Sequence, residues 1–542
     1  MKRIFLFISL ILVASVTVCA QSQDRWTILQ DGSIQWKPTR NLPHEDHVEM
    51  SGQMLSVVLR YGVDVQQRFH LNRSLVFPML RMKPNKTQNN LKQRFDVNIP
   101  AMVTVDDQTL LNEVVQDITF NGIMRVESDY GYIYRRKELK NAIHVTRILY
   151  PSINAPRYLE EYTFKNNSQN PITLRVPEWR VTYTTPEEAG VYGAYRIEAS
   201  LSKKGTFILK PGETLDFYAI YSGKKVSDDV TEKDNTAFSR ITIQSERAGR
   251  QALINQWWEN LVLDTPDPVL NRMFAFAKLR GAESIYRTKG GLMHGPGGEA
   301  YYAAVWANDQ AEYINPFFPF LGYDIGNESA LNAYRHFARY MNPEYNPIPS
   351  SIISEGVSFW HGAKDRGDGA MIAYGAARYA LARGDKEEAR ELWPLIEWCL
   401  EYCKRKLTPN GVVASNSDEL ENRFPAGDAN LCTSTLYYDA LRSAALLGRE
   451  IGVSGKQLAT YTAQAKALES AIENHFGYEI EGFHSYRYYE GNDILRSWIC
   501  MPLVMGIYTR AQGTIDALFS PRLWTNDGLL TQAGTETFWD RS

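Results

Sequence analysis

The chain has 542 residues, with 59 Lys and Arg against 62 Asp and Glu, so its formal net charge is −3 at neutral pH. This balance, with no long run of either sign, excludes the basic surface on which nucleic-acid-binding proteins rely. A single hydrophobic core stops growing near about 250 to 300 residues, so the length predicts two domains. Aromatic residues make up 12% of the chain, and flat rings with polar edges are suited to the apolar faces of sugars.

The first twenty residues have the pattern of a signal peptide. Two basic residues precede an apolar run, 4–18, and small residues ending at Ala20 form a cleavage site. Because this pattern directs export, we predict that residues 1–20 are removed and that the mature protein is periplasmic or secreted. Lipid attachment at Cys19 is the less favoured alternative, because Val18 is a poor neighbour for a lipoprotein cysteine. No later segment is predicted to span a bilayer.

Residues 21–225 are predicted to form an antiparallel β-sandwich. Turn signals such as Asn121-Gly122 separate short alternating runs such as 143–150, which are rich in β-branched and aromatic residues. A charged stretch, 224–234, follows these runs. We therefore interpret residues 226–260 as a linker.

Residues 261–542 are predicted to be helical, because the apolar period changes there from two to 3.6. The helices are joined alternately by short and long segments, which is typical of helical hairpins packed in an (α/α)6 toroid. Their predicted ranges are 268–287, 308–321, 328–341, 369–383, 386–406, 430–447, 455–476 and 493–509, and a ninth begins near Thr537. A complete toroid of this type has twelve helices. We therefore expect a toroid truncated after about eight or nine helices.

The cysteines after the signal peptide are scattered, and no metal or organic cofactor is predicted. Cys399, Cys403, Cys432 and Cys500 fit neither a disulfide scaffold nor a paired zinc-binding pattern. They are predicted to be buried free thiols.

The densest acidic group lies between the fifth and sixth predicted helices. Asp418, Glu419 and Glu421 stand there beside Arg423. A glycosidase needs an acid that protonates the leaving oxygen near neutral pH, and partial burial among like charges raises a carboxyl pKa toward that range. Arg423 would hold another carboxylate ionised. The alternative interpretation is a solvated loop with a helix-capping role.

Two further loops combine aromatic and polar residues. Trp306 and Asp309 follow a glycine-rich segment, and together they can stack on a sugar ring and accept hydrogen bonds from its hydroxyls, although Asp309 can equally cap the following helix. Trp360, Arg366 and Asp368 precede the fourth predicted helix, where a surface turn capped by Asp368 is the alternative. All three loops precede even-numbered helices, so we expect them at the same rim of the toroid.

These loops carry a resemblance to a known superfamily. The Pro-Gly-Gly at 296–298, with Trp306 and Asp309 downstream, resembles the glycine-rich, aromatic-then-Asp signature of trehalases and related inverting glucosidases of the six-hairpin glycosidase superfamily. Residues 417–424 are similar to the second signature, an acidic loop that closes on Arg and an aromatic residue. Arg423-Phe424 stands here in place of the superfamily's Arg-Trp. The resemblance covers residues 260–542, and several members also carry an N-terminal β-sandwich.

The resemblance implies an inverting glycoside hydrolase acting on a carbohydrate substrate. Its catalytic acid, four residues before the Arg, falls on Glu419, with Asp418 and Glu421 as competitors because an Asp would be usual. The superfamily's base is a Glu before the last helix, which we expect beyond Ser542. In this hypothesis Trp306, Asp309 and Trp360 hold the sugar in the innermost subsite, with Arg366, Asp368 and Arg423 as polar support.

Two alternatives stay open at the level of sequence. One is a glycan-binding protein that has kept the toroid and lost the chemistry. The other is a polysaccharide lyase on a similar toroid.

Overall fold

The computed structural model describes residues 25–228, 240–302, 304–356, 359–360, 365–525 and 528–534. The predicted signal peptide with Cys19 and the ninth helix near Thr537 lie outside these described residues. Within them, no helix combines the length and the apolar character that crossing a bilayer requires.

The N-terminal domain is built from antiparallel strands. These are β1 (Thr27–Ile28), β2 (Ile34–Trp36), β3 (His44–Ser51), β4 (Ser56–Val63), β5 (Phe69–Arg81), β6 (Asn90–Phe95), β7 (Thr104–Val105), β8 (Gln108–Thr109), β9 (Leu111–Phe120), β10 (Met124–Tyr134), β11 (Lys137–Pro151), β12 (Arg157–Asn166), β13 (Ile172–Val176), β14 (Arg180–Thr184), β15 (Tyr195–Leu201), β16 (Gly205–Leu209) and β17 (Thr214–Lys225). A short helix, α1 (Ile99–Met102), follows β6, and single 3-10 turns lie at Glu187–Ala189 and Val226–Asp228.

The strands form three sheets around one core. The largest has the order β1-β2-β9-β10-β11-β12-β17-β15-β14, and the smaller two have the orders β3-β4-β5-β6 and β16-β13-β7-β8. Leu59 and Leu75 of the second sheet share this core with Tyr162 and Phe217 of the first, whose rings stack with centroids 5.5 Å apart. Side chains that alternate between core and surface thus confirm the predicted β-sandwich.

A long helix occupies much of the range interpreted as a linker. This helix, α2 (Arg240–Glu259), packs on the outer face of the large sheet through the buried Ile243, Ile254 and Trp257. The Tyr150 hydroxyl also donates a hydrogen bond to the carbonyl oxygen of Ile243 at 3.2 Å. The sequence did not predict this helix because most of its residues are polar, and the sheet supplies the apolar partner that its few large side chains need.

The second domain is mainly helical. After α2 come α3 (Pro268–Glu283), a π-helix (Asn308–Ile314), α4 (Asn315–Leu321), α5 (Asp324–Ala338), α6 (Asp368–Arg383), α7 (Lys386–Arg405), α8 (Leu431–Ile451), α9 (Gly455–Phe476), a 3-10 turn (Ser497–Cys500), α10 (Met501–Val504) and α11 (Ala511–Leu518). Short strands lie between or after them at β18 (Ile285–Thr288), β19 (Gly291–His294), β20 (Ala304–Trp306), β21 (Ser351–Ile353), β22 (Phe359–Trp360), β23 (Gly477–Ile480), β24 (Phe483–Tyr486), β25 (Trp524–Thr525) and β26 (Gly528–Leu529), and β20, β21 and β22 form one three-stranded sheet.

The helices form hairpins in two layers. Helices α6 and α8 are buried on nearly every side, whereas α7 and α9 bury one face each, so α6 and α8 are the inner layer. Tight turns make the hairpins: Gly384 ends α6 with φ +69° and Asp385 caps α7, while Gly452 ends α8 with φ +86° and Ser454 caps α9. This arrangement confirms the predicted class, a β-sandwich followed by toroid-type helical hairpins.

The structure corrects two predicted helices. The helix predicted over 268–287 ends at Glu283, because the next residues form the β18–β19 hairpin. The helix predicted over 493–509 is wrong: its range holds only the 3-10 turn and the four-residue α10. Pro502 at the start of α10 and Gly506, with φ +87° after its end, limit the helical run.

Candidate active site

Three loops of the helical domain meet at the side chain of Arg366, which is 1% exposed. Its Nη2 donates hydrogen bonds to Asp368 Oδ1 at 2.9 Å and to Asn308 Oδ1 at 3.3 Å. Its Nη1 lies 3.2 Å from Glu421 Oε1. One guanidinium group therefore joins the start of the π-helix, the loop before α6 and the loop before α8, which the sequence places at one rim.

The π-helix carries Asp309 into this site. Its wider turn replaces the start of the α-helix predicted from residue 308, and such turns are frequent at functional sites. Ala307 stands at the capping position and no side chain caps the helix, so Asp309 is not its cap. Burial raises the pKa of Asp309 to about 6, while the nearby Arg366 opposes the shift.

Glu419 is the partly buried acid of the loop before α8. The Tyr313 hydroxyl donates to both of its carboxyl oxygens, at 2.7 Å and 2.8 Å. Burial raises the pKa of Glu419 to about 7, the hydrogen bond from Tyr313 opposes the shift, and the negative charge of Asp418 adds to it. A carboxyl group with this pKa is an acid that holds and releases a proton near neutral pH.

Glu312 is a buried carboxyl group of the same site that the sequence analysis does not identify. Burial and then the charge of Glu419 raise its pKa far above the ordinary value. Its Oε2 has no hydrogen-bond partner within the described ranges, and the same holds for Arg366 Nε. Buried polar atoms are nearly always bonded in folded proteins, so these two atoms are available to a polar ligand at the rim.

Asp418 holds the acidic loop against the rest of the domain. It is 1% exposed, accepts a hydrogen bond from the Leu420 N–H at 2.9 Å, and lies 3.6 Å from Arg496 Nη2. Arg496 is itself buried, with its guanidinium carbon 4.0 Å from the Tyr488 ring centroid. Burial raises the pKa of Asp418 and Arg496 opposes the shift. Asp418 thus faces a cation on its buried side, whereas Glu419 faces the open rim.

The aromatic residues of the rim differ in exposure. Trp306 is 8% exposed, packs edge-on against Tyr301 at 5.8 Å, and donates its backbone N–H to the Gln310 side chain. Tyr301 and Tyr313, at 39% and 51% exposure, present the open rings here. Trp360 pairs with Ser351 through its strand, and its side chain lies outside the described residues.

Arg423 lies at the exposed edge of the acidic loop. Its Nε donates to the carbonyl oxygen of Leu420 at 2.8 Å. The sequence predicts Arg423 as the cation of this loop, but the buried cations that contact the acidic side chains here are Arg366 and Arg496. No sequence signal marks Arg496, which lies far along the chain. Glu312 and Tyr313, in contrast, follow Asp309 at a spacing of three and four residues that places side chains near one another on a helix.

The glycine-rich segment 296–298 contacts the β-sandwich rather than the rim. The Gly298 N–H donates to Glu49 Oε2 at 3.0 Å. Gly297 has φ +89°, and a Cβ there would lie 2.9 Å from the Glu49 carboxylate. The next residue, Glu299, binds Arg60 through two hydrogen bonds of 2.6 Å and 2.9 Å. Only the later part of the first signature, from Trp306, therefore reaches the rim.

A cavity of about 600 Å³ lies between the two domains, at β3, β4 and α3. The charged groups in its wall bind one another: Arg280 lies 2.7 Å from Glu49 and 3.3 Å from Glu283. The rim instead holds carboxyl groups with raised pKa values, which are typical of functional sites. We therefore take the rim as the candidate active site.

Six carboxyl groups surround the two buried guanidinium groups of the rim. They belong to Asp309, Glu312, Asp368, Asp418, Glu419 and Glu421. Within the described ranges, no group of three or more His, Cys, Asp or Glu has the arrangement of a metal site. The four described cysteines are free, and three of them are buried. The raised pKa values of Asp309, Glu312 and Glu419 make these carboxyl groups suited to proton transfer.

No family model and no curated protein matches this chain. Two solved structures resemble it in fold. A protein assigned as a kojibiose phosphorylase from the human microbiome is 10% identical, with 82% of this chain and 70% of that chain covered and a TM-score of 0.46. A bacterial glucoamylase complexed with acarbose is 9% identical, with 92% and 82% covered and a TM-score of 0.50. The likeness to the glucoamylase concerns the fold alone, which in this chain is an antiparallel β-sandwich followed by toroid-type helical hairpins.

Proposed function

We propose that this protein is a glycoside hydrolase that cleaves an oligosaccharide or polysaccharide with inversion. The observation that carries the proposal is Glu419, a partly buried acid with a pKa of about 7 at the open rim of the helical domain. The similarly folded glucoamylase was crystallised with acarbose, which supports a carbohydrate ligand. We further propose export, from the signal-peptide pattern of residues 1–20.

In this mechanism Glu419 protonates the glycosidic oxygen as the bond from that oxygen to the anomeric carbon breaks. Water attacks the anomeric carbon from the opposite face and passes a proton to a second carboxylate, so the configuration inverts. Glu419 rather than Asp418 donates the proton, because Asp418 is fully buried and faces Arg496.

The side chains around Glu419 would hold the sugar. Asp309 accepts hydrogen bonds from hydroxyl groups, and Arg366 fixes Asp368 and Glu421 around it. Trp306, Trp360 and Arg423 remain proposed contacts to the sugar.

The charge of the rim favours water as the acceptor and a neutral sugar as the substrate. With Glu312 and Glu419 protonated, the four other carboxylates of the described rim still outnumber Arg366, Arg496 and the exposed Arg423 by one. A phosphate anion or a uronate would meet like charge in a partly buried site, where repulsion is strong. Phosphorolysis and uronate elimination by a lyase are therefore disfavoured.

The test is hydrolysis of a panel of neutral oligosaccharides by the wild type and by Glu419→Gln, followed by NMR of the released anomer. Loss of the acid should lower kcat by about 10² to 10⁴ with little change in sugar binding. Glu479→Gln, a 65% exposed glutamate on β23, is the matched control and should retain full activity.

Retention of activity by Glu419→Gln together with its loss in Asp418→Asn would transfer the acid role to Asp418. Sugar binding without turnover by the full-length protein would instead support the glycan-binding alternative.

A further inference from the structure

Tyr313 contacts Glu419 in a way that the proposed hydrolysis does not by itself require. Its ring is 51% exposed, so the side chain contributes little to the core. Its hydroxyl is nonetheless shared between both carboxyl oxygens of Glu419, at 2.7 Å and 2.8 Å. A side chain that is half in solvent and fixed at one polar end is suited to orienting the group to which it binds.

The hydrogen bond from the Tyr313 hydroxyl favours one protonation state of Glu419. A donor aimed at a carboxylate favours the ionised form, since the protonated form accepts less strongly. The other groups around Glu419 act in both directions. From the π-helix, Asp309 and Glu312 face it, and Asn308 adds a hydrogen bond; from its own loop, Asp418 faces it; and from α8 and the last 3-10 turn, Cys432 and Cys500. Arg366 lies beyond Glu312, and Arg496 lies behind Asp418.

We propose that Tyr313 is a positioning residue that orients the Glu419 carboxyl group and favours its ionised form. In this role the phenol offsets part of the effect of burial and of the neighbouring carboxylates. Glu419 then gives up its proton to the leaving oxygen at neutral pH instead of retaining it into the alkaline range. The inference rests on the proposed function, in which Glu419 is the acid.

The first test is the pH dependence of kcat/KM for Tyr313→Phe with a neutral oligosaccharide. Removal of one hydrogen bond to a charged group should move the alkaline limb upward by about one pH unit and lower kcat by about tenfold, with KM nearly unchanged. Tyr478→Phe is the matched control, because Tyr478 on β23 is similarly exposed, at 47%, and lies outside the rim. Its alkaline limb should coincide with that of the wild type.

The second test does not depend on activity. The thermal unfolding midpoint is measured from pH 4 to pH 9 for the wild type, Tyr313→Phe, Glu419→Gln and the double variant. Tyr313→Phe should match the wild type near pH 4, where Glu419 is protonated in both the folded and unfolded states, and be less stable above pH 7. This pH-dependent difference should disappear when Glu419 is already Gln.

The outcomes separate the inference from the proposed function. If the Tyr313→Phe limb coincides with that of the wild type, or if its pH-dependent difference persists without Glu419, the positioning role is overturned. If Glu419→Gln hydrolyses sugars normally, the proposed function fails, and the unfolding cycle alone still decides whether Tyr313 acts on Glu419.

Discussion

Two groups of buried carboxylates in this protein have opposite electrostatic surroundings. The interface cluster, between the domains, contains Glu49, Glu283 and Glu299. Four arginines form ion pairs with these carboxylates: Arg60, Arg94, Arg250 and Arg280. Burial alone would raise the pKa of Glu299, but hydrogen bonds from Arg60 and Arg94 lower it to about 2.

The rim cluster, with its six carboxyl groups, shares only Arg366 and Arg496 as buried cations within the described part of the chain. Burial therefore prevails there, and the pKa values of Asp309 and Glu419 rise to about 6 and about 7. Where arginines outnumber the buried carboxylates, the acids stay ionised and join the domains. Where carboxyl groups outnumber the arginines, burial raises their pKa values toward the range of proton exchange.

The largest effect on stability is expected from breaking the interface cluster at Arg250. Its guanidinium is 1% exposed, lies 2.7 Å from Glu283 Oε2, and donates to the carbonyl oxygens of Ser51 and Gly122. Arg250→Met should lower the free energy of unfolding by about 3 to 5 kcal/mol, because a buried carboxylate is left without its main partner. Urea unfolding measures the loss.

Arg247→Met is the matched control for this variant. Arg247 lies on the same helix, and its side chain is 36% exposed while it pairs with Glu161 at 3.0 Å. A partly exposed pair contributes about 0 to 1 kcal/mol, so the control should unfold close to the wild type. Equal losses in the two variants would contradict the structural role of the interface cluster.

A smaller effect of opposite sign is expected at the rim. The pKa of Glu419 rises from 4.5 to about 7 on folding, so its contribution to stability is complete below pH 4.5 and is lost as the pH rises to about 7. Glu419→Gln should therefore be more stable than the wild type above pH 7, by on the order of 2 kcal/mol, and equal to it near pH 4. Urea unfolding at pH 4 and pH 8 tests this, and a less stable variant at pH 8 would contradict it.

The smallest effect is expected at Glu299, where the pH window is reversed. Its pKa falls from 4.5 to about 2 on folding, so its contribution is present above pH 4.5 and is lost as the pH falls toward 2. Glu299→Gln should cost about 1 kcal/mol at pH 7, since solvent screens the half-exposed Arg60 and Arg94. The cost should vanish near pH 2, and a cost that persists there would show a cause other than charge.

The outline of the fold was predictable because it depends on local periodicity. The β-sandwich and the hairpins of α6 with α7 and α8 with α9 follow from alternation, from the 3.6 period and from caps such as Asp385. Helix α2 was not predictable, since its apolar side is narrow and its stability comes from the sheet on which it packs. The helix predicted over 493–509 is wrong for the opposite reason. The apolar residues of this range fit a helical period, but they reach the core from turns and short helical segments.

The sequence by itself also determined that the acidic loop lies at one rim with the loops of Asp309 and Arg366. Each of these loops precedes an even-numbered predicted helix, and helix order places such loops at the same end. Only the tertiary structure decided which of the two neighbouring acids faces a buried cation and which has a pKa near neutrality. Asp418 and Glu419 are neighbours in sequence, yet one faces Arg496 and the other faces Tyr313 at the open side. Only the fold assigned the glycine-rich segment to the interface and Glu312 to the rim. The physical reason is that a pKa depends on burial and on charges from distant parts of the chain, and neither is encoded in local spacing.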